Sequence, residues 1–216
     1  MGENISMFII DFDDTLFNTH AFKQARVEAL RKLGVTEEIY KKSYQEAYNN
    51  SAGINIYNNK SHAEVLQQYG FKKEDSTNAL NSITLKKYLF PDAIDFLTFL
   101  KQLQQKLTLL SLGEESFQKM KISGAGIESW FDYIFTVNDS KENIIKQILQ
   151  DNTEEKQIWF INDKIEETEK LVTIFSQLRP ILKMSPIFSE EQYKSSGIPY
   201  FSTLTEIKHY VEQQLG

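Results

Sequence analysis

The sequence predicts an α/β protein, built as a doubly wound parallel sheet with a small all-helical domain inserted after the first strand. Three observations lead to this prediction. Continuous apolar runs at residues 7–10 and 107–110 are typical of strands that are buried on both faces. From about residue 90, such runs alternate with stretches of helical periodicity. Residues 18–88, in contrast, contain helical patterns only.

The length fits this organisation. A chain of 216 residues is large enough to bury a core and to carry one insertion. We therefore expect an α/β core domain of residues 1–17 and 89–216, with a helical domain of residues 18–88 between its two parts. Hydrophobic residues make up 41% and charged residues 25%, as in an ordinary globular protein, which excludes general disorder.

Composition excludes several classes of function. The 24 Lys and Arg residues against 30 Asp and Glu give a net charge of −6, without the basic excess of a nucleic-acid-binding protein. The absence of Cys excludes disulfides and thiolate nucleophiles, and three His are too few for most zinc sites. No apolar run approaches the roughly 18 residues that span a bilayer, and residues 1–10 lack a basic segment. We expect a cytoplasmic protein with no membrane or nucleic-acid partner.

The first half of the chain begins with a strand at residues 7–10, followed by helical patterns. Thr36 is a predicted helix start, with acidic residues behind it, and Gly34 is a predicted helix end. Residues 50–60 are rich in Asn, Ser and Gly and predict a loop. Helices are predicted over residues 20–33, 36–49, 61–69 and 73–87.

The second half alternates strands with helices. Pro91 suits the beginning of a helix that runs to about residue 103. Further strands are predicted at residues 107–110, 133–137, 157–161, 181–182 and 199–201. Further helices are predicted at residues 114–123, 140–150, 165–176 and 204–215. Residues 183–197 show no clear periodicity and predict an irregular surface connection.

Polar side chains gather at the predicted strand ends, where open α/β sheets bind their ligands. Asp11 and Asp13 follow the first strand, Ser111 ends another, and Asp163 ends a third. Lys141 begins the helix after the strand at residues 133–137. Such a set suits a hard divalent cation and a phosphate group. A carboxylate here can also serve as a covalent nucleophile or as an acid and base.

These residues carry a resemblance to a known family. Residues 11–17, Asp-Phe-Asp-Asp-Thr-Leu-Phe, resemble the first motif of the haloacid dehalogenase (HAD) superfamily. Residues 109–111 are similar to its second motif, Lys141 to its third, and residues 159–163 followed by Glu167 to its fourth. The four stand in the family's order, and the resemblance covers nearly the whole chain. It implies a Rossmann-like HAD core with a helical cap.

The resemblance also implies roles for single residues. Asp11 would attack phosphorus and form an aspartyl-phosphate. Asp13 would protonate the leaving oxygen and then activate water, and its presence argues against the dehalogenase branch, which lacks it. Ser111 would donate a hydrogen bond to a phosphoryl oxygen, and Lys141 would neutralise charge on the nucleophile and the phosphoryl group. Thr15 would support the loop after the first strand.

The implied cofactor is Mg²⁺, held by Asp11, the main-chain carbonyl of Asp13, and Asp163. Glu167, as the second acid of the fourth motif, would orient the site or the waters of the metal. The motif departs from the family pattern in having Asn162 before its first acid and Glu at position 167 where Asp is commoner. Two assignments stay open at this point. Glu166 competes with Glu167, and Lys119 and Lys121 are alternatives to Lys141.

The resemblance implies an enzyme, a magnesium-dependent phosphatase of a small phosphorylated metabolite. Nucleotide monophosphates, sugar phosphates and phosphoglycolate-like acids are the candidate substrates, and the protein is expected to be a monomer or weak dimer. A helical cap would close over the site and select the substrate. Besides Thr15, weak candidates for substrate contact are Asn18, His20 and Lys23. The alternatives are a phosphomutase, a pyrophosphate-bond hydrolase and, in a different class, a non-catalytic binding or regulatory module.

Overall fold

The chain folds around one parallel sheet of six strands in the order β3-β2-β1-β4-β5-β6. The computed structural model describes residues 5–49, 57–151 and 157–215. Within them the strands are β1 (Ile5–Ile10), β2 (Lys106–Leu112), β3 (Tyr133–Val137), β4 (Gln157–Asn162), β5 (Leu178–Lys183) and β6 (Tyr200–Phe201). The chain builds outward from β1 first to one edge and then to the other. The predicted doubly wound α/β fold is confirmed.

The described helices flank this sheet or lie between β1 and β2 along the chain. They are α1 (Thr19–Arg31), α2 (Glu37–Asn49), α3 (Asn59–Gln68), α4 (Lys73–Asn81), α5 (Ala93–Gln102), α6 (Glu115–Ala125), α7 (Glu142–Asp151), α8 (Ile165–Ile174), α9 (Glu190–Ser195) and α10 (Leu204–Leu215). Two short 3₁₀ helices cover Leu85–Tyr88 and Glu128–Trp130.

The strand register brings the functional ends of the sheet together. Ile10 of β1 pairs with Leu109 of β2 on one side and with Ile161 of β4 on the other. The main-chain N–H of Asp11 continues the ladder by donating to the carbonyl of Ile161 over 2.9 Å. The segments that follow these three strands therefore leave the sheet at the same edge.

The two faces of the sheet bury separate apolar clusters. Alternate residues of β1 point to opposite faces, as the pleat of a strand requires. Phe8 contributes to the cluster under α5, α6 and α10, and Ile9 to the cluster under α7 and α8. Both side chains are completely buried. This explains why the strand is an uninterrupted apolar run.

Helices α1 to α4 pack around an apolar cluster of their own, which includes Leu30, Tyr40 and Leu66. The chain leaves and rejoins the sheet region through two adjacent segments, since the N–H of Asn18 donates to the carbonyl of Tyr88 over 2.7 Å. This pairing lies where the sequence predicts the boundaries of the helical domain. The division into two domains itself stays a prediction.

Three local expectations were wrong. The predicted helix over residues 73–87 ends at Asn81, and the chain continues as a 3₁₀ helix whose Leu85 packs directly against Gly124 of α6. The segment 183–197 is not wholly irregular, since α9 begins there with a capping box between Ser189 and Gln192. The loop predicted at 50–60 ends earlier, because Asn58 caps α3. Its residues 50–56 lie outside the described residues.

The structure also bears on the membrane question. Of the helices in the described ranges, none is long and apolar enough to cross a bilayer.

Candidate active site

Asp11 lies at the centre of the carboxyl edge of the sheet, paired with Lys141. The Lys141 ammonium donates to Asp11 Oδ1 over 2.5 Å and lies 2.8 Å from Oε2 of Glu167. Burial works to lower the pKa of Lys141, but the two carboxylates outweigh it, and the net effect is a raised pKa. Burial raises the pKa of Asp11, an effect that Lys141 offsets only in part. Lys141 is therefore a firmly charged ammonium held between two carboxylates.

Two hydroxyl groups accompany Asp11. Thr15 Oγ1 donates to Asp11 Oδ2 over 3.3 Å, which matches the predicted supporting role of Thr15. Ser111, near the end of β2, is completely buried, and its Oγ has no hydrogen-bond partner within the described part of the chain. A buried hydroxyl without a partner is unusual in a folded protein. The Ser111 hydroxyl is therefore a donor that the described part of the chain leaves unused, although Ser111 does not line the cavity described below.

Of the two adjacent glutamates, Glu167 contacts the described residues around Asp11 and Glu166 does not. Glu166 is exposed, whereas Oε2 of Glu167 accepts a hydrogen bond from Asn162 Nδ2 over 2.9 Å and also contacts Lys141. The amide oxygen of Asn162 accepts from Lys141 over 3.2 Å. Glu167 and Asn162 together fix the ammonium beside Asp11. The structure thus places Glu167 against Lys141, and its Oε2 is already shared between two donors.

Asp163 marks a candidate site for a cation. Its side chain is almost completely buried after β4, and its Oδ1 has no hydrogen-bond partner in the described residues. Burial, reinforced by the negative charges of Asp11 and Asp14, raises the pKa of Asp163 to about 8. Lys141 is already shared between Asp11 and Glu167, and no ion pair to Asp163 exists within the described residues.

The donor atoms fit Mg²⁺ in particular. No group of three or more His, Asp or Glu side chains forms a ready cage within the described ranges. The donors that the sequence predicts are the carboxylates of Asp11 and Asp163, whose negative charges act on each other in the structure, and the main-chain carbonyl of Asp13. Mg²⁺ commonly binds through one or two carboxylates, keeps several waters and takes further oxygens from a phosphate.

Asp13 has a lysine of its own. The Lys121 ammonium donates to both carboxylate oxygens of Asp13, over 2.5 and 2.7 Å, and Thr19 Oγ1 and Gln118 Nε2 donate over 2.6 and 2.8 Å. Burial works to raise the pKa of Asp13, but Lys121 and these hydrogen bonds outweigh it, so the pKa is lowered. Lys121 itself is buried, which lowers its pKa.

The three candidate lysines have different partners in the structure. Lys141 pairs with Asp11, Lys121 pairs with Asp13, and Lys119 forms a surface ion pair with Glu115. Gln118 and Lys121 were not singled out as partners of Asp13. The sequence signal that could have identified them is their spacing of three residues, which places both on one face of α6, and this face is buried.

The turn after β1 separates the two aspartates. Asp14 adopts a left-handed conformation with φ of 56°, which Asp tolerates better than most residues. Its N–H donates to the carbonyl of Phe17 over 2.7 Å, and its carboxylate accepts from the N–H of Thr19 over 3.0 Å. This tight turn holds Asp11 beside Lys141 while Asp13 faces Lys121.

A cavity of about 570 Å³ opens at this edge, toward α1 and α2. Its walls combine charged groups of the sheet edge with a cation and aromatic rings of the opposite side. They include Asp13, Asp14, Lys121 and Asp163 on the first side, and Phe22, Arg26, Tyr44, Tyr48, Tyr57 and Phe117 on the second.

The residues predicted as weak candidates for substrate contact do not all line the cavity. Lys23 lines this cavity. Asn18 instead caps α1, accepting from the N–H of Ala21 over 2.8 Å, and His20 is exposed and does not line the cavity. The sequence reasoning missed Arg26, which lies one turn after Lys23 on the same helix.

A buried histidine supports the aromatic wall. Tyr57 Oη lies 2.8 Å from Nδ1 of His62, and Ser43 Oγ lies 2.8 Å from Nε2. Because the Ser43 hydroxyl donates to the carbonyl of Tyr40, Nε2 carries the proton and Nδ1 accepts from Tyr57. Burial, with a further contribution from the charge of Arg26, lowers the pKa of His62 to about 3. His62 is therefore neutral and holds Tyr57 in place.

This histidine makes stability depend on pH. Its pKa in the folded state lies below the unfolded value of about 6.5, so only the unfolded chain takes up a proton as the pH falls below 6.5. We expect His62 to reduce the free energy of unfolding by about 2 kcal/mol between pH 7.5 and pH 5. Urea unfolding at both pH values should show a smaller loss for His62→Gln than for the wild type or for His209→Gln, an exposed control. An equal loss in all three proteins would contradict this account.

Comparison with known proteins gives a consistent result. The model of the haloacid dehalogenase-like hydrolase family matches residues 8–170. A haloacid dehalogenase-like hydrolase from Burkholderia xenovorans LB400 is 16% identical with a TM-score of 0.74, and the match covers 99% of each chain. A HAD hydrolase from Bacillus subtilis, described as bound to magnesium, is 16% identical with a TM-score of 0.64, over 96% of this chain and 99% of that one.

A further similar structure is the L-2-haloacid dehalogenase from Xanthobacter autotrophicus. It is 14% identical with a TM-score of 0.61, over 96% of this chain and 98% of that one. No curated protein matches the sequence. At these levels of identity the solved structures establish the fold alone.

Proposed function

Since this chain belongs to the haloacid dehalogenase-like hydrolases, we propose that it is a magnesium-dependent phosphatase of small phosphate monoesters. The observation that carries the proposal is the pairing of two aspartates with two different buried lysines, Asp11 with Lys141 and Asp13 with Lys121. A phosphatase that forms an aspartyl-phosphate needs one carboxylate as nucleophile and a second as acid and base. The ion pair with Lys141 suits Asp11 to the role of nucleophile, and the ion pair with Lys121 suits Asp13 to the role of acid and base.

In the first step, an oxygen of Asp11 attacks phosphorus while the bond from phosphorus to the ester oxygen breaks. Lys141 holds the Asp11 carboxylate and neutralises charge that gathers on the phosphoryl oxygens, to which the Ser111 hydroxyl donates. The leaving oxygen receives a proton from Asp13. Bound Mg²⁺, held by Asp11, Asp163 and the Asp13 carbonyl, would supply further neutralisation of the phosphate charge.

In the second step, Asp13 takes a proton from a water molecule that attacks the aspartyl-phosphate, which releases inorganic phosphate and restores Asp11. Lys121 favours the ionised form of Asp13, which is the form that this base step requires. For the acid step Asp13 first takes up a proton, and it then no longer forms an ion pair with Lys121.

Magnesium binding can be tested without turnover. At about a hundredfold excess over its dissociation constant, Mg²⁺ is expected to stabilise the wild type by about 2.7 kcal/mol, or a rise of several degrees in Tm. The Asp163→Asn variant should lose most of this rise, because Asp163 supplies an unpartnered buried carboxylate oxygen. Differential scanning calorimetry with and without Mg²⁺ measures both, with the exposed Asp139→Asn as a control. An equal rise in Asp163→Asn would place the metal elsewhere.

The reaction class is tested by release of inorganic phosphate from a panel of esters, including a generic aryl phosphate, with and without Mg²⁺. We expect metal-dependent release from small esters. Because one structural relative is a dehalogenase, the panel also includes a 2-chlorocarboxylic acid, from which we expect no chloride release. Chloride release, or an absence of phosphate release from every ester, would overturn the proposal.

A further inference from the structure

Arg26 is a buried cation that has no anionic partner within the part of the chain that the structure describes. Its side chain is only 2% exposed, and no ion pair to it exists among the described residues. Its Nε has no hydrogen-bond acceptor there. Burying an arginine in this way is costly unless the charge is compensated.

Aromatic rings compensate the charge only in part. The guanidinium carbon of Arg26 lies 4.0 Å from the ring centre of Tyr57, with Phe22 and Phe117 each at 5.7 Å. Ring faces attract a cation but do not accept the in-plane hydrogen bonds of a guanidinium.

Besides these rings, two polar side chains act on Arg26. Against the lowering by burial, the hydroxyl of Tyr40 works to raise the pKa of Arg26, but it makes no hydrogen bond of normal geometry within the described residues. The contact of 3.5 Å from Nη2 to Nδ1 of His62 is weak, and that nitrogen already accepts from Tyr57.

Arg26 also lines the cavity at the candidate active site. It shares this cavity with Asp13 and Lys121. Both Arg26 and Lys121 contact the Phe117 ring, with Arg26 Cζ at 5.7 Å and Lys121 Nζ at 5.3 Å from its centre. Lys121 is neutralised by Asp13, whereas Lys23, on the cavity wall one turn before Arg26, is exposed. Both charged residues that α1 contributes to the cavity wall, Lys23 and Arg26, are cations.

We propose that Arg26 binds a second anionic group on the leaving part of the substrate, a carboxylate or a second phosphate. The proposal rests on the proposed phosphatase function and narrows its substrate to phosphorylated acids or bisphosphates. A planar guanidinium matches the two oxygens of such a group, and its hydrogen bonds are stronger for an anion than for a neutral hydroxyl. Arg26 is thus a specificity-determining residue of the site.

Matched substrate pairs test the proposal. 3-Phosphoglycerate and glycerol 3-phosphate differ in one carboxylate, and fructose 1,6-bisphosphate and fructose 6-phosphate differ in one phosphate. For whichever pair the wild type discriminates, we expect Arg26→Met to lower the ratio of the two kcat/KM values by roughly 10- to 100-fold, mainly through KM. The pair affected identifies the anion as carboxylate or phosphate. Arg31→Met, an exposed arginine on the same helix, should leave the ratio unchanged.

A structural role of Arg26 would lower both members of a pair equally, so an unchanged ratio would overturn the proposal. If Arg26→Met does not fold, Arg26→Lys decides, because it keeps the charge and loses the planar fork. We expect the ratio of the two kcat/KM values in Arg26→Lys to lie between the wild-type ratio and a ratio of one, at which the pair is no longer discriminated. An Arg26→Lys ratio equal to that of the wild type would also overturn the proposal.

Equilibrium binding separates this proposal from the proposed function. Calorimetric titration of 3-phosphoglycerate and fructose 1,6-bisphosphate into the Asp11→Asn variant requires no turnover. Adding Arg26→Met is expected to raise the Kd for one of them at least 10-fold. This holds even if the wild type hydrolyses no ester, in which case the phosphatase proposal fails alone. Equal Kd values with and without Arg26 would refute the anion site.

Discussion

Asp11→Asn is expected to reduce Mg²⁺-dependent hydrolysis of phosphate monoesters by about 10⁴-fold or more. An amide oxygen is a far weaker nucleophile toward phosphorus than a carboxylate oxygen. The replacement keeps the shape of the side chain. Its amide oxygen can still accept from Lys141, while the amide nitrogen takes the place of Oδ2 and can donate to the Thr15 hydroxyl. The loss should therefore appear in kcat rather than in folding. Single-turnover phosphate release and far-ultraviolet circular dichroism measure the two separately.

Glu166→Gln is the matched control for this experiment. It removes one carboxylate from the same sequence region, but Glu166 is exposed and should leave kcat unchanged. An Asp11→Asn variant with more than a few per cent of wild-type kcat would mean that the nucleophile is another group.

Lys141→Met is expected to damage both activity and stability. The variant leaves the Asp11 carboxylate, 7% exposed, and Glu167 without the ammonium that separates them. Removing one partner of a buried ion pair typically costs about 3 kcal/mol or more in the free energy of unfolding. Loss of charge neutralisation at the nucleophile should also lower kcat by roughly 10²- to 10³-fold. Urea unfolding without Mg²⁺ and steady-state kinetics with Mg²⁺ measure the two effects.

The control is Lys146→Met, an exposed residue of α7, the helix that begins directly after Lys141. It should change the free energy of unfolding by less than about 0.5 kcal/mol. Mg²⁺ is expected to restore part of the stability lost in Lys141→Met, because a bound cation would take over charge compensation at Asp11. If Lys141→Met unfolded at the same urea concentration as the wild type, the ion pair with Asp11 would contribute little to stability.

Much of the architecture follows from local sequence. An apolar run bounded by Asp11 is buried on both faces, so residues 7–10 read as a central strand. The side chains that follow such strands, among them Ser111 and Asp163, must meet at one edge of a parallel sheet. The strand at residues 133–137 was located from the same pattern. These features depend only on the order of residues along the chain, which is why the sequence predicts them.

One local feature was not predicted although the sequence contains a pattern that indicates it. The sequence signal for the helix Glu190–Ser195 is Ser189 followed three residues later by Gln192, which is the spacing of a capping box. The end of α4 at Asn81 was missed for a different reason. The residues that follow pack against Gly124 on a distant helix, and this contact decides their conformation.

The sequence by itself predicted the parallel sheet, the order along the chain of the strand ends that carry polar residues, and the candidate nucleophile. Only the tertiary structure decided which lysine serves which aspartate, because Asp11 and Lys141 are 130 residues apart and Asp13 and Lys121 are 108 apart. It also turned Arg26 from an ordinary helical residue into a buried cation facing a cavity. The physical reason is that charge pairing and desolvation depend on distance in space and on exclusion of water, and neither is encoded in a stretch of neighbouring residues.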